Sequence, residues 1–205
     1  MNNFLLFFFD WDGTLCSDRF WKSIRGKDTN VSRAIDNFFL ENKKLLKEWM
    51  LGKMTSEEVN KIISEESGFP YDLLWDTFIK DCENIFFEPI LREELLKLRK
   101  QAKTVLITGN MDCFRRFIIP VLKLEDCFDA IIISSESGML KDENEGEQFK
   151  KIVQSFNVPI DRSVLIDDSE KCCSVFDKIG GYSIKTSSPD NTIKIVQSLY
   201  EKNCF

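Results

Sequence analysis

At 205 residues, 43% hydrophobic and 30% charged, the chain is long enough to bury a sizeable core and has the composition of a globular protein of one domain, or of one domain with a smaller insert. Its net charge of −6 and pI near 5.0 give no sequence-wide basic signal for a nucleic-acid polymer or an anionic membrane, no apolar run is long enough to span a bilayer, and the absence of any His excludes Ser-His-Asp and Cys-His mechanisms. The seven Cys residues, without a Cys-x-x-Cys pair, argue against a zinc site and for reduced thiols in a cytoplasmic protein, which leaves acid/base chemistry to carboxylates, Lys, Tyr or thiols.

The first predicted element is a strand. Phe4-Leu5-Leu6-Phe7-Phe8-Phe9 is an unbroken apolar run, as a strand buried on both faces requires. It is too short, and lacks the basic flank, for a secretory leader, so it reads as mature structure. Asp10 and Asp12 follow with one residue between them. In extended backbone both carboxylates point the same way, and Gly13 lets the chain turn sharply after them. That puts paired carboxylates at the carboxyl end of a core strand, the edge at which open α/β sheets bind ligands.

A block of helices comes next. Trp21, Lys22 and Arg25 stand near enough to the acidic turn to border the site, or to be solvated surface. Asn30 to Met50 repeats apolar residues with a helical period. Thr55 and Glu58 have capping-box spacing and open a helix running to about Glu65, Gly68-Phe69-Pro70 closes it, and Tyr71 to Ile85 forms another. From Glu88 onward strands and helices alternate. A helix over Pro89 to Ala102 leads to the strand Thr104-Val105-Leu106-Ile107, which ends in Thr108-Gly109-Asn110. A helix over Met111 to Leu122, with Arg115 and Arg116 on its surface, leads to the strand Phe128 to Ser134 and then to Gly138-Met139-Leu140-Lys141. A helix over Gln148 to Phe156 precedes the strand Ser163 to Ile166, followed by Asp167-Asp168-Ser169. A strand over Gly181 to Ile184 and a helix over Asn191 to Tyr200 complete the pattern. The expected fold is α/β, a Rossmann-like doubly wound parallel sheet formed by residues 1–15 and 88–205, with residues 16–87 inserted as a separate helical block.

Asp10-Trp11-Asp12-Gly13-Thr14-Leu15 resembles the first motif of the haloacid dehalogenase superfamily, in its Asp-x-Asp-Gly-Thr phosphatase form. Thr108-Gly109-Asn110, Lys141 and Asp167-Asp168 resemble the second, third and fourth motifs, each in order and near the end of a predicted strand. The resemblance implies a Mg²⁺-dependent phosphomonoesterase acting on a small phosphorylated metabolite. Asp10 would be the nucleophile and Asp12 the general acid and base. Thr108, Gly109, Asn110 and Lys141 would hold the phosphoryl group. Mg²⁺ would lie among Asp10, the Asp12 carbonyl and Asp168, with Asp167 acting through water, although the order within that last pair is open. The helical block would be the cap found between the first two motifs in one subclass.

The chain departs from the pattern after Lys141, where the acidic run Asp142-Glu143-Asn144-Glu145-Gly146-Glu147 replaces the usual Pro. If Lys141 were only a solvated charge, Lys150, Lys151 or Lys103 would have to neutralise the site. Three functions are open on this reading: a phosphatase, a phosphosugar mutase using the same motifs, and a catalytically silent protein that binds a phosphorylated ligand or a protein partner. Asp12 favours phosphoryl transfer over dehalogenation, because a departing halide needs no proton. The role of the vicinal Cys172-Cys173 pair is open as well.

Overall fold

The computed structural model describes residues 4–201. Among these, five strands form one parallel sheet: β1 (Leu6–Phe9), β2 (Lys103–Thr108), β3 (Ala130–Ile133), β4 (Ser163–Asp167) and β5 (Tyr182–Lys185), in the order β3-β2-β1-β4-β5. The Phe-rich run takes the centre. β1 pairs with β2 from Leu6–Lys103 to Phe9–Leu106 and with β4 from Leu6–Ser163 to Phe9–Ile166. Its four side chains are fully buried and alternate between two cores. Leu6 and Phe8 pack with Phe149 and Phe176 on one side of the sheet, whereas Phe7 and Phe9 share the other core with Leu91, Leu95 and Val196. At about 1.5–3 kcal/mol per large apolar side chain, this strand alone contributes a substantial share of the driving force for folding.

Helices cover both faces, as the expected doubly wound fold requires. α1 (Asn30–Glu41), α2 (Lys43–Met50), α3 (Ser56–Ser67), α4 (Tyr71–Glu83) and α5 (Pro89–Arg99) lie between β1 and β2. A π-helical turn at Phe114–Ile118 runs into α6 (Ile119–Leu122), and α7 (Ser134–Ser137), α8 (Glu147–Ser155), α9 (Glu170–Lys178) and α10 (Pro189–Glu201) follow. α5 packs on α10 on one face, and α8 and α9 cover the other. Because β2 and β4 flank β1 on opposite sides, the chain reverses its winding direction beside β1, and a crevice opens at its carboxyl end.

Two expected helices differ in detail. The segment 30–50 breaks at Asn42 (φ −94°, ψ 48°), whose N–H still closes α1 on the Phe38 carbonyl. Asn tolerates this conformation, and the bend brings the end of α2 against α7. In the segment 111–122, Pro120 has no N–H to donate, and the chain takes a wider π turn just before it. The capping box is as read: Thr55 Oγ1 accepts from the Glu58 N–H at 3.2 Å, and Glu58 Oε2 accepts from the Thr55 N–H at 2.7 Å.

α1 to α4 have an aromatic centre of their own. Trp21 is fully buried, its ring 4.7 Å from that of Phe78 and 5.9 Å from that of Trp49, and its Nε1 donates to Asn60 at 3.1 Å. It therefore belongs to the core of the helical block, neither to surface nor to an entrance. The block is fastened to the sheet by polar contacts. Asp112 accepts from Trp49 Nε1 (3.0 Å), the Ser56 N–H (3.1 Å) and the Ser56 hydroxyl (2.6 Å). Ser134 donates to the Met50 carbonyl (2.6 Å), and Lys47 pairs with Glu143 (2.8 Å). Gly52, at φ +70°, allows the backbones to meet, since a Cβ there would lie 2.0 Å from the Ser135 carbonyl oxygen.

Candidate active site

Above the carboxyl ends of β1, β2 and β4 lies a cavity of about 500 Å³, within the range of small-molecule sites. Its charged side contains Asp10, Asp12, Asp168, Lys141 and Asn110. Four of them are placed by strand ends, since Asp10 and Asp12 follow β1, Asn110 follows β2 and Asp168 follows β4, whereas Lys141 comes from the loop after α7.

Lys141 is the pivot of this group. It is buried, with its ammonium 2.6 Å from Asp10 Oδ1 and 2.7 Å from Asp167 Oδ2. Burial disfavours its charge, but the carboxylates of Asp10 and Asp167 outweigh that and hold it well above the ordinary lysine value. It is not a solvated charge. The alternatives lie elsewhere: Lys151 pairs with Glu147, Lys103 pairs with Asp129, and none of Lys103, Lys150 and Lys151 lines the cavity. The acidic run after Lys141 is neutralised locally, since Asp142 pairs with Lys171 (2.6 Å) and Glu143 with Lys47.

Asp12 is held from two directions. Asn110 Nδ2 donates to its Oδ2 at 2.9 Å, and Arg19 Nη1 to its Oδ1 at 3.1 Å. Burial, reinforced by the neighbouring Asp10 charge, outweighs the pull of Arg19 and Lys141 and pushes this carboxyl up to about 6. Thr108 is buried at the end of β2 and stands behind the cavity lining, where its hydroxyl accepts from Asn110 Nδ2 at 3.3 Å. Gly109 and Asn110 reach the cavity itself.

Carboxylate oxygens of Asp10, Asp167 and Asp168 lie within 4.8 Å of one another. The donor set suits Mg²⁺, a hard cation that binds through one or two carboxylates and keeps several waters. The two adjacent aspartates differ. Asp167 is fully buried, with Oδ1 accepting from the Ser169 N–H at 2.8 Å and Oδ2 on Lys141, whereas Asp168 is exposed and lines the cavity. Space for Asp168 is left by Gly13, at φ +75°: a Cβ there would be 2.4 Å from Asp168 Oδ2. The Asp12 carboxylate lies outside this acidic cluster.

Arg25 also lines the cavity, its guanidinium 4.9 Å over the Phe39 ring, while Lys22 is engaged by Asp18 and the Asn84 carbonyl. Arg19 carried no motif in the sequence, and only the fold shows that it reaches Asp12. Six cysteines are buried free thiols, and Cys204 lies outside the described residues. Cys172 lines the cavity, but burial pushes its thiol up to about 11, so it stays protonated and is no rival nucleophile. No helix among the described residues is long and apolar enough to cross a membrane.

The fold and the site define an α/β protein with a doubly wound parallel sheet and lysine-neutralised aspartates at the carboxyl edge where such sheets bind ligands. A family model for haloacid dehalogenase-like hydrolases matches residues 4–171, and the chain belongs to that family. Among solved structures, a family enzyme from Bacteroides thetaiotaomicron in complex with magnesium and inorganic phosphate is similar at 20% identity, with a TM-score of 0.65 over 90% of this chain and 95% of that one. A predicted hydrolase of the family from Porphyromonas gingivalis is 15% identical, with a TM-score of 0.69 over 97% and 98%. The L-2-haloacid dehalogenase of Xanthobacter autotrophicus, with chloropropionic acid covalently bound, is 12% identical, with a TM-score of 0.62 over 91% and 78%. No curated protein matches by sequence at a significant level.

Proposed function

We propose that the chain is a Mg²⁺-dependent phosphomonoesterase that acts on a small phosphorylated metabolite through an aspartyl phosphate. The observation that carries this reading is the pairing of Asp10 with Asp12 on one cavity, with the Asp12 carboxyl held by Asn110 and Arg19 where it can face a leaving group. Displacement of halide would leave Asp12 without a task. Phosphate ester cleavage needs a proton delivered to the departing oxygen.

Asp10 attacks phosphorus with the oxygen that Lys141 leaves available, and the bond from phosphorus to the ester oxygen breaks. Asp12 gives its proton to the leaving alkoxide, held in place by Asn110 and Arg19. Asp12, now ionised, takes a proton from water as the water attacks phosphorus, the bond to Asp10 breaks, and phosphate and free Asp10 are released. Lys141 and the Gly109–Asn110 segment face the phosphoryl oxygens, with Thr108 fixing Asn110 from behind. Asp10 and Asp168 would hold Mg²⁺ directly, with Asp167 in support, and the ion would neutralise charge on the phosphoryl group. The helices within 16–87 serve as a cap that excludes water.

The test is phosphate release from an aryl phosphate with Mg²⁺, compared with Asp10→Asn and with chelated metal. Turnover lost in both controls is expected. Halide release from 2-chloropropionate with no phosphatase activity would instead assign a dehalogenase.

A further inference from the structure

We infer that the phosphoryl group accepted here is carried by an apolar alcohol, aryl or branched alkyl, and not by a sugar. This deepens the phosphatase reading and rests on it.

The cavity has two chemically distinct sides. The side contributed by the helical block presents Phe20, Phe39, Leu46, Met50 and Ile85. The first four are only half-buried and line the cavity while packing on the core behind it. The polar side chains that the block adds to the lining are Asp18, Arg19 and Arg25, and all three are already engaged. Asp18 accepts from Lys22 Nζ (2.5 Å) and the Phe86 N–H (2.8 Å), Arg19 donates to Asp12, and Arg25 donates to Asp36 (3.0 Å) while lying over the Phe39 ring. Among the described residues, the block contributes no hydroxyl or amide side chain to the lining.

A leaving group leans away from the phosphoryl site and so meets this side. A sugar would turn several hydroxyls against carbon, at a cost of about 1–3 kcal/mol for each one left without a partner. A ring or branched chain would instead gain about 25 cal/mol for each Å² of apolar surface removed from water. Both effects act in the same direction. The remaining space, in a cavity of about 500 Å³, suits a group of one or two rings.

The experiment compares benzyl phosphate with glucose 6-phosphate, both esters of primary alcohols, under Mg²⁺, with acetyl phosphate as a substrate too small to reach the apolar side. Benzyl phosphate is expected to show about 100-fold higher kcat/KM than the sugar ester, and the non-hydrolysable benzylphosphonate is expected to inhibit competitively. Phe39→Gln and Leu46→Gln should each shrink the benzyl-to-glucose ratio at least about tenfold, chiefly through KM. A ratio taken within one variant does not depend on how much of it is folded. Equal or better turnover of glucose 6-phosphate, with acetyl phosphate also cleaved, overturns the substrate class and leaves the phosphatase reading intact. Failure on every substrate, the two esters and the acyl phosphate alike, overturns both.

Discussion

Replacing Lys141 with Met tests whether one ammonium holds the acidic site together. Its Nζ lies 2.6 Å and 2.7 Å from two carboxylate oxygens, which at an effective dielectric of about 20 is worth about 6 kcal/mol of attraction each. Stripping water from the ammonium offsets much of this, and removing one partner from a buried ion cluster typically costs about 3–5 kcal/mol. Methionine has nearly the same length, so the change removes charge and leaves little cavity. The cost should depend on pH, with a definite sign. Burial already pushes Asp167 up to about 6, against the pull of Lys141, and without that cation its carboxyl rises further. A carboxyl whose folded value lies above its unfolded one stabilises the protein most below the ordinary carboxylate range and loses that contribution as pH rises through the folded value. The deficit of Lys141→Met against the native chain should therefore be largest at pH 8 and narrow toward pH 5. Urea unfolding at both pH values, with chelator present so that metal plays no part, measures it, and an unchanged m-value would show that the unfolded states are comparable. A deficit below about 1 kcal/mol at pH 8, or one equal at both pH values, would refute the reasoning.

Asp12→Asn keeps the shape of the site and removes the transferable proton, so kcat should fall about 10²–10⁴-fold, more for alkyl than for nitrophenyl esters, whose leaving groups need less protonation; equal loss on both would remove Asp12 from the acid role. For alkyl esters, the native chain should lose kcat/KM as pH rises past about 6, where Asp12 gives up its proton, and Asp12→Asn should lack that descending limb in a pH-rate profile. Asp112→Ala leaves the Ser56 N–H and hydroxyl without their acceptor and Trp49 Nε1 with only its longer bond to Ser56 Oγ (3.3 Å), while Arg116 keeps Glu57, and should cost about 2–4 kcal/mol in urea unfolding. Burial pushes the Asp112 carboxyl up, but hydrogen bonds from Ser56, Trp49 and Arg116 outweigh that and hold it low, so the native chain should lose this contribution only as pH falls through that lowered value. Gly13→Ala forces a Cβ into Asp168 at φ +75° and should both destabilise the fold by about 1–3 kcal/mol and raise the Mg²⁺ concentration needed for half-maximal activity; an unchanged metal requirement would separate Gly13 from the metal site.

By itself the sequence determined the sheet and the residues at its carboxyl edge. Four consecutive side chains at Leu6–Phe9, all apolar, can be buried only if both faces of their strand are covered, and a parallel sheet wrapped by helices is the arrangement that does so. Asp10, Asp12, Asn110 and Asp168 were legible because each follows an apolar run whose end is marked by a change of residue type, and short-range chemistry suffices to read that. Thr55, Glu58 and Gly68 announced the start and end of α3 for the same reason.

Tertiary structure decided what depends on contacts far apart in the chain. Whether Lys141 was solvated or buried could not be read from an acidic neighbourhood, because Lys47 and Lys171, which neutralise Glu143 and Asp142, come from α2 and α9. Trp21 gave no local sign of its burial, which comes from Phe78, Trp49 and Asn60 on three different helices. Arg19 meets Asp12 through the turn of the chain after β1 and marks no period that a sequence pattern would reveal. The half-buried apolar residues of α1 and α2 read only as helix faces until the bend at Asn42 and the docking of α2 on α7 set Phe39, Leu46 and Met50 around the cavity. Local sequence can set an element and its ends, but burial and charge pairing at a site are sums over neighbours that only the folded chain brings together.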